Sequence, residues 1–146
     1  MHKQALKRIL VLDDDPGVLH LMWAVLKREG HSVSTASSSH EAEERMRSEH
    51  FDFLVTDHDM PRENGLSFVR RIRNSDGGAL QPHRDIPVVM VTANCDPGHV
   101  QALEQAGVLA LVQKPFRPAA FLDVVRRLTR GATPGFIHLQ THTAVN

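Results

Sequence analysis

Short apolar runs recur along this chain, and most of them stop at a polar turn. Ile9, Leu10, Val11 and Leu12 run into Asp13, Asp14, Asp15 and Pro16. Phe51, Phe53, Leu54 and Val55 run into Thr56, Asp57 and Pro61. Val88, Val89, Met90 and Val91 end at Thr92, Ala93 and Asn94, and the run over 108–112 ends at Gln113, Lys114 and Pro115. Continuous apolar runs of this length predict strands buried on both faces. Ser32, Val33, Ser34, Thr35 and Ala36 alternate instead, which predicts a half-exposed strand at a sheet edge.

Between the strands the apolar spacing changes to that of helices. Asp15 is placed to cap a first helix opened by Pro16, carried by Val18, Leu19, Met22, Val25 and Leu26, and closed at Gly30. Ser37, Ser38 and Ser39 cap a polar, loosely held helix to about His50, anchored by Ala42 and Met46. Leu66, Phe68, Val69 and Ile72 give a third helix its buried stripe, and Val100, Leu103 and Ala106 a fourth, opened by Asp96 and Pro97 and closed by Gly107. Phe121, Leu122, Val125 and Leu128 mark a fifth, from about Pro118 to Gly131. Residues 74–82 read as a long flexible connection.

Five strands alternating with five helices predict an α/β fold: a five-stranded parallel sheet, doubly wound, because short crossovers are right-handed and cover both faces. With the alternating strand at one edge the order is 2-1-3-4-5, and the chain reverses direction between strands 1 and 3. Asp13, Asp14 and Asp57 line the crevice at that reversal. One domain is expected over residues 6–130. Residues 131–146, with Pro134 and Gly135 and no clear periodicity, read as a tail.

Composition narrows the picture mainly by exclusion. The chain has 146 residues, 41% of them hydrophobic, and 17 basic side chains against 17 acidic, so one ordinary core is expected and no basic footprint for nucleic acid. The basic start before residue 9 runs into an apolar stretch too short for a signal sequence or a membrane span, so a cytoplasmic location is expected. The single cysteine, Cys95, excludes an intramolecular disulfide and a multi-cysteine zinc site. His138 and His142 have helical spacing but no accompanying glutamate, and are expected to be solvent-exposed.

What the strand ends bring together is three carboxylates, a threonine hydroxyl and a lysine. Close carboxylates repel one another, and Mg²⁺, a hard cation that prefers oxygen ligands, resolves the repulsion. A lysine and a hydroxyl on the same rim suit an incoming phosphoryl group, with Lys114 as a point charge and Thr92 as a hydrogen-bond donor. Asp57 is then a ligand or a nucleophile.

Asp13 and Asp14 after strand 1, Asp57 after strand 3 with Met60, Pro61 and Gly65 following, Thr92 and Ala93 after strand 4, and Lys114, Pro115 and Phe116 after strand 5 together resemble the receiver domain of two-component response regulators, the CheY-like, flavodoxin-like fold. The resemblance spans roughly residues 6–130. It implies that Asp57 accepts a phosphoryl group from a histidine kinase phosphohistidine or a small acyl phosphate. Asp14 is implied as a direct Mg²⁺ ligand with Asp57, Asp13 as acting mainly through water, and the Asp59 backbone carbonyl as a further ligand. Thr92 and Lys114 would hold the phosphoryl oxygens, and the Lys114-Pro115 bond would be cis.

The implied role is a switch in protein contacts rather than an enzyme, apart from self-catalysed phosphorylation and dephosphorylation. Expected partners are a sensor histidine kinase or a histidine phosphotransfer protein, docking at helix 1 and the loop after strand 5. A downstream protein, or a weak homodimer of an otherwise monomeric chain, would use the face of helix 4, strand 5 and helix 5, including His99, Gln101, Glu104, Arg126 and Arg127. Neither nucleic acid nor membrane is an expected partner.

The chain departs from the family pattern at two places. Leu111, three before Lys114, stands where an aromatic is usual, which reads either as drift at an edge strand or as altered switching. Asp59 puts an acid two residues after the phosphoacceptor, where it would act on the hydrolytic water or the metal; His58 and Asn94 flank the same rim. Two alternatives are a degenerate receiver that binds partners without phosphorylation and a haloacid-dehalogenase-like phosphatase. The first is opposed by intact Asp14, Asp57, Thr92 and Lys114. The second has two partial signatures, at Asp13 and Asp57, and both fail at the last position.

Overall fold

Successive strand residues point to opposite faces of a sheet, and here both sets are apolar, so the sheet must be covered on both sides. The computed structural model, which describes residues 6–131 and 135–141, shows how. The elements are β1 Arg8–Leu12, α1 Pro16–Arg28, β2 Ser32–Ala36, α2 Ser39–Ser48, β3 Phe53–Asp57, α3 Gly65–Arg73, β4 Val88–Thr92, α4 Pro97–Gln105, β5 Ala110–Gln113, α5 Pro118–Thr129 and β6 Ile137–Leu139. The strands are parallel in the order β2-β1-β3-β4-β5-β6.

Alternate residues sort the core into two layers. Leu10, Leu12, Leu54, Val88, Met90 and Leu111 face α2, α3 and α4, packing on Met46, Phe68, Ile72 and Leu103. Ile9, Val11, Phe53, Val55, Val89, Val91 and Val112 face α1 and α5, packing on Met22, Leu26, Phe121 and Val125. The predicted doubly wound topology is therefore present. No helix among the described residues is long and apolar enough to cross a membrane.

Helix starts follow the capping residues that the sequence offers. The Asp15 carboxylate accepts from the Gly17 and Val18 amides, the Ser38 hydroxyl from Glu41, and Asn64 from Ser67.

Four expectations change. The sheet has a sixth strand: Ile137–Leu139, in the segment read as a tail, pairs with β5, and three residues are too few to display a period. β5 is consequently an interior strand, and Leu111 is fully buried in the α2-α3-α4 layer rather than drifting at an edge. The connection after α3 is also anchored rather than loose. Leu80, His83 and Ile86 are buried around a single turn of tight helix, Gln81–His83, and His83 Nε2 accepts the Phe51 amide at 3.0 Å. His138, expected in solvent, is half-buried with a covered Nε2; His142 lies outside the described residues.

Candidate phosphoacceptor site

All strands run the same way, so Asp13, Asp57, Thr92 and Lys114, each at or just past a strand end, meet at one rim. Asp57 is the last residue of β3 and 1% exposed; Asp13 and Thr92 are fully buried. The loop leaving Asp57 is held by the His58 amide on the Val91 carbonyl at 2.9 Å, and the Gly65 amide returns to the His58 carbonyl at 2.9 Å. Gly65 is required by space: a Cβ there would lie 2.3 Å from the Asp57 carbonyl oxygen and 2.8 Å from Met90 Sδ.

Lys114 Nζ sits between the two buried acids. It donates to Asp13 Oδ2 at 3.0 Å and forms an ion pair with Asp57 Oδ1 at 3.0 Å that is out of line for a hydrogen bond. Asp57 Oδ1 is thus buried without a hydrogen bond among the described residues. Asp13 has a donor on each oxygen, since its Oδ1 also accepts the Asp15 amide at 2.9 Å. Burial, reinforced by the Asp13 charge and only partly offset by Lys114, pushes the Asp57 carboxyl from 3.8 up to about 6. Burial works against the Lys114 charge, but Asp13 and Asp57 outweigh it and hold the ammonium above the usual lysine range.

Asp13, Asp14 and Asp57 each bring a carboxylate oxygen within 4.8 Å of the other two. Two of these acids are buried and the third is exposed, so the donor set opens to solvent on the Asp14 side. A hard divalent cation fits this set: it would add a positive partner for the buried Asp57 carboxylate and offset the burial and the Asp13 charge that raise its pKa.

The remaining candidates are placed as follows. The Thr92 hydroxyl donates to Asp59 Oδ2 at 3.1 Å and accepts the Asn94 amide at 3.0 Å. The Asp59 carboxylate, which the sequence left free to act on water or metal, is therefore turned to Thr92 and lies outside the three-acid group. His58 packs its ring on His99 at 4.3 Å between centroids and accepts the Leu66 amide through Nδ1 at 3.4 Å; burial and the His99 ring lower its pKa. The Lys114-Pro115 bond is cis. Sequence reasoning missed Thr141, whose hydroxyl donates to the Pro115 carbonyl at 2.6 Å beside Lys114; nothing in the local sequence signals that contact.

A parallel doubly wound sheet with an acid triad, a hydroxyl and a lysine at its carboxyl rim defines a signalling domain built around a strand-end aspartate. The chain belongs to the response regulator receiver domain family, whose model matches residues 9–126. It is 31% identical over 121 residues to the sensory/regulatory protein RpfC of Xanthomonas campestris, covering 83% of this chain and 16% of that protein. It is 33% identical over 113 residues to a chemotaxis protein CheY homolog of Campylobacter jejuni, covering 76% of this chain and 83% of the other. Among solved structures, the receiver domain of the sensor histidine kinase PA1611 from Pseudomonas aeruginosa, with magnesium coordinated in its active site cleft, superposes with a TM-score of 0.72. That match has 25% identity and covers 86% of this chain and 99% of the other. The chain spans about a sixth of the length of RpfC.

Proposed function

We propose that this chain is a phosphoryl-accepting receiver in a two-component phosphorelay, with Asp57 as the acceptor. The observation that carries the reading is the state of Asp57: a buried strand-end carboxylate, with one oxygen lacking a hydrogen bond, flanked by two acids and a lysine 3.0 Å away. An Asp57 oxygen attacks the phosphorus of a phosphohistidine, the P–N bond breaks, and its electron pair leaves with the imidazole. Asp14 and Asp57, with Asp13 beside them, would hold Mg²⁺, and the ion would supply neutralisation of charge on the phosphoryl oxygens. Lys114 moves its charge from Asp13 toward the phosphoryl group, and Thr92 exchanges Asp59 for a phosphoryl oxygen.

The receiver unit occupies residues 6–130 and works in the cytoplasm. It takes phosphate from a sensor histidine kinase or a histidine phosphotransfer protein and signals through the face of α4, β5 and α5. Beyond its own phosphorylation and dephosphorylation it is a switch, not an enzyme.

Intact-mass spectrometry after incubation with acetyl phosphate tests this. One phosphoryl increment is expected with Mg²⁺, and none without Mg²⁺ or in Asp57→Ala. A folded protein that gains no increment under any of these conditions overturns the reading.

A further inference from the structure

The expected output face of a receiver includes the outer side of β5, and in this chain that side is occupied. β6 pairs with β5 in parallel register, Ala110 with Ile137, Leu111 with His138 and Val112 with Leu139, and the Ile137 amide donates to the Leu109 carbonyl at 3.0 Å. Ile137 and Leu139 pack against the α1-α5 layer, and Phe136 against the opposite one. This segment lies beyond residue 126, where the family match ends.

Its far end is tied to the chemistry. The Thr141 amide donates to Gln113 Oε1 at 2.8 Å, and the Thr141 hydroxyl donates to the Pro115 carbonyl at 2.6 Å and lies 3.2 Å from the Gln113 carbonyl. Those two carbonyls bracket Lys114, whose ammonium reaches Asp13 and Asp57. The strand is also short, and all three of its residues are only half-buried. A short strand of this kind has a low local opening free energy, as a two-state element requires.

We propose that residues 136–141 form a releasable strap over the outer edge of β5, latched at Thr141 and detached when Asp57 is phosphorylated. This rests on the phosphoacceptor reading above. In the resting chain the strap satisfies the β5 edge in cis and covers the output face. Loading Asp57 draws Lys114 toward the new charge, shifts the Gln113 and Pro115 carbonyls that the latch grips, and leaves β5 with the unpaired donors and acceptors of an edge strand, which accept a partner's strand. Coupling is reciprocal, so a weakened latch makes loading easier.

Hydrogen exchange of the Ile137 amide in the full chain, read with intact mass on the same samples, tests the strap. On Mg²⁺ and acetyl phosphate, exchange at Ile137 is expected to accelerate at least about 10-fold in parallel with the phosphoryl increment, and to stay unchanged in Asp57→Asn. Thr141→Val, which keeps the shape and loses the hydroxyl, is expected to exchange faster before loading and to load roughly 5-fold faster or more. A full increment with unchanged Ile137 exchange overturns the strap and leaves the phosphoacceptor reading standing. A Thr141→Val protein with wild-type exchange and loading overturns the latch, and a missing increment overturns both readings together.

Discussion

Asp57 is held in tension: burial disfavours its charge, while the phosphoacceptor role proposed for it needs that charge to attack. Its folded pKa of about 6 stands above the ordinary 3.8, so between those values the folded state binds more protons than the unfolded state. Stability contributed by this group is thus present at low pH and lost as pH rises through that window. In metal-free buffer at neutral pH, Asp57→Asn is expected to be more stable than wild type by about 1–2 kcal/mol, below the full linkage value because Asn gives up the Lys114 ion pair. The gap is expected to narrow as pH falls toward 4. Urea titrations at pH 7 and pH 4.5 check this, and an Asn variant that is less stable at both would contradict it. At this scale the acids, Thr92 and Lys114 were legible in the sequence, because each sits at or just past an apolar run. The Thr92 to Asp59 bond was not, because it joins residues 33 apart whose loops only the fold brings together.

Among the elements, the turn into α3 bears most directly on the placement of Asp57. With the Asp57 carbonyl 2.3 Å from where a Cβ would sit, Gly65→Ala must push the strand end or the helix start away. It is expected to destabilise the fold by about 2 kcal/mol or more and to slow phosphorylation by acetyl phosphate on the order of 10- to 100-fold. Wild-type melting and loading in that variant would show that the loop yields freely. The strands β1, β3 and β4 could be read from sequence because a strand buried on both faces has little choice of composition. β6 could not, because Ile137, His138 and Leu139 form a strand only by borrowing the β5 edge. The stretch after α3 differs from its expectation for a related reason: it is polar and Gly-rich, and among its anchors is a histidine whose partner, the Phe51 amide, lies 32 residues away.

The whole molecule has two unlike ends. Acids crowd the carboxyl rim of the sheet, while the amino end is fastened by neutral imidazoles. His83 accepts from Phe51 and His31 Nδ1 accepts from the Lys7 amide, both at 3.0 Å, and burial lowers both histidine pKa values. Below pH 6.5 the unfolded chain binds protons that these folded histidines resist, so their contribution is lost as pH falls. The two ends therefore oppose one another between pH 4 and 6.5. Once Asp57→Asn removes the acidic end's share, stability is expected to fall more steeply from pH 7 to pH 5 than in wild type. Adding His83→Ala, which strands the Phe51 amide, is expected to cost roughly 1–3 kcal/mol at pH 7 and to flatten that slope. Thermal melts of the three proteins across the range decide it.

α5 carries the chain away from the rim, and β6 carries it back, so that Thr141 stands beside Pro115 instead of at the opposite pole. The direction of that one short strand decides which end of the sheet residue 141 reaches. A dye attached at residue 141 itself would stand beside Pro115, one residue from the lysine that reaches the buried acids, well positioned to report on a change there and equally well positioned to disturb it.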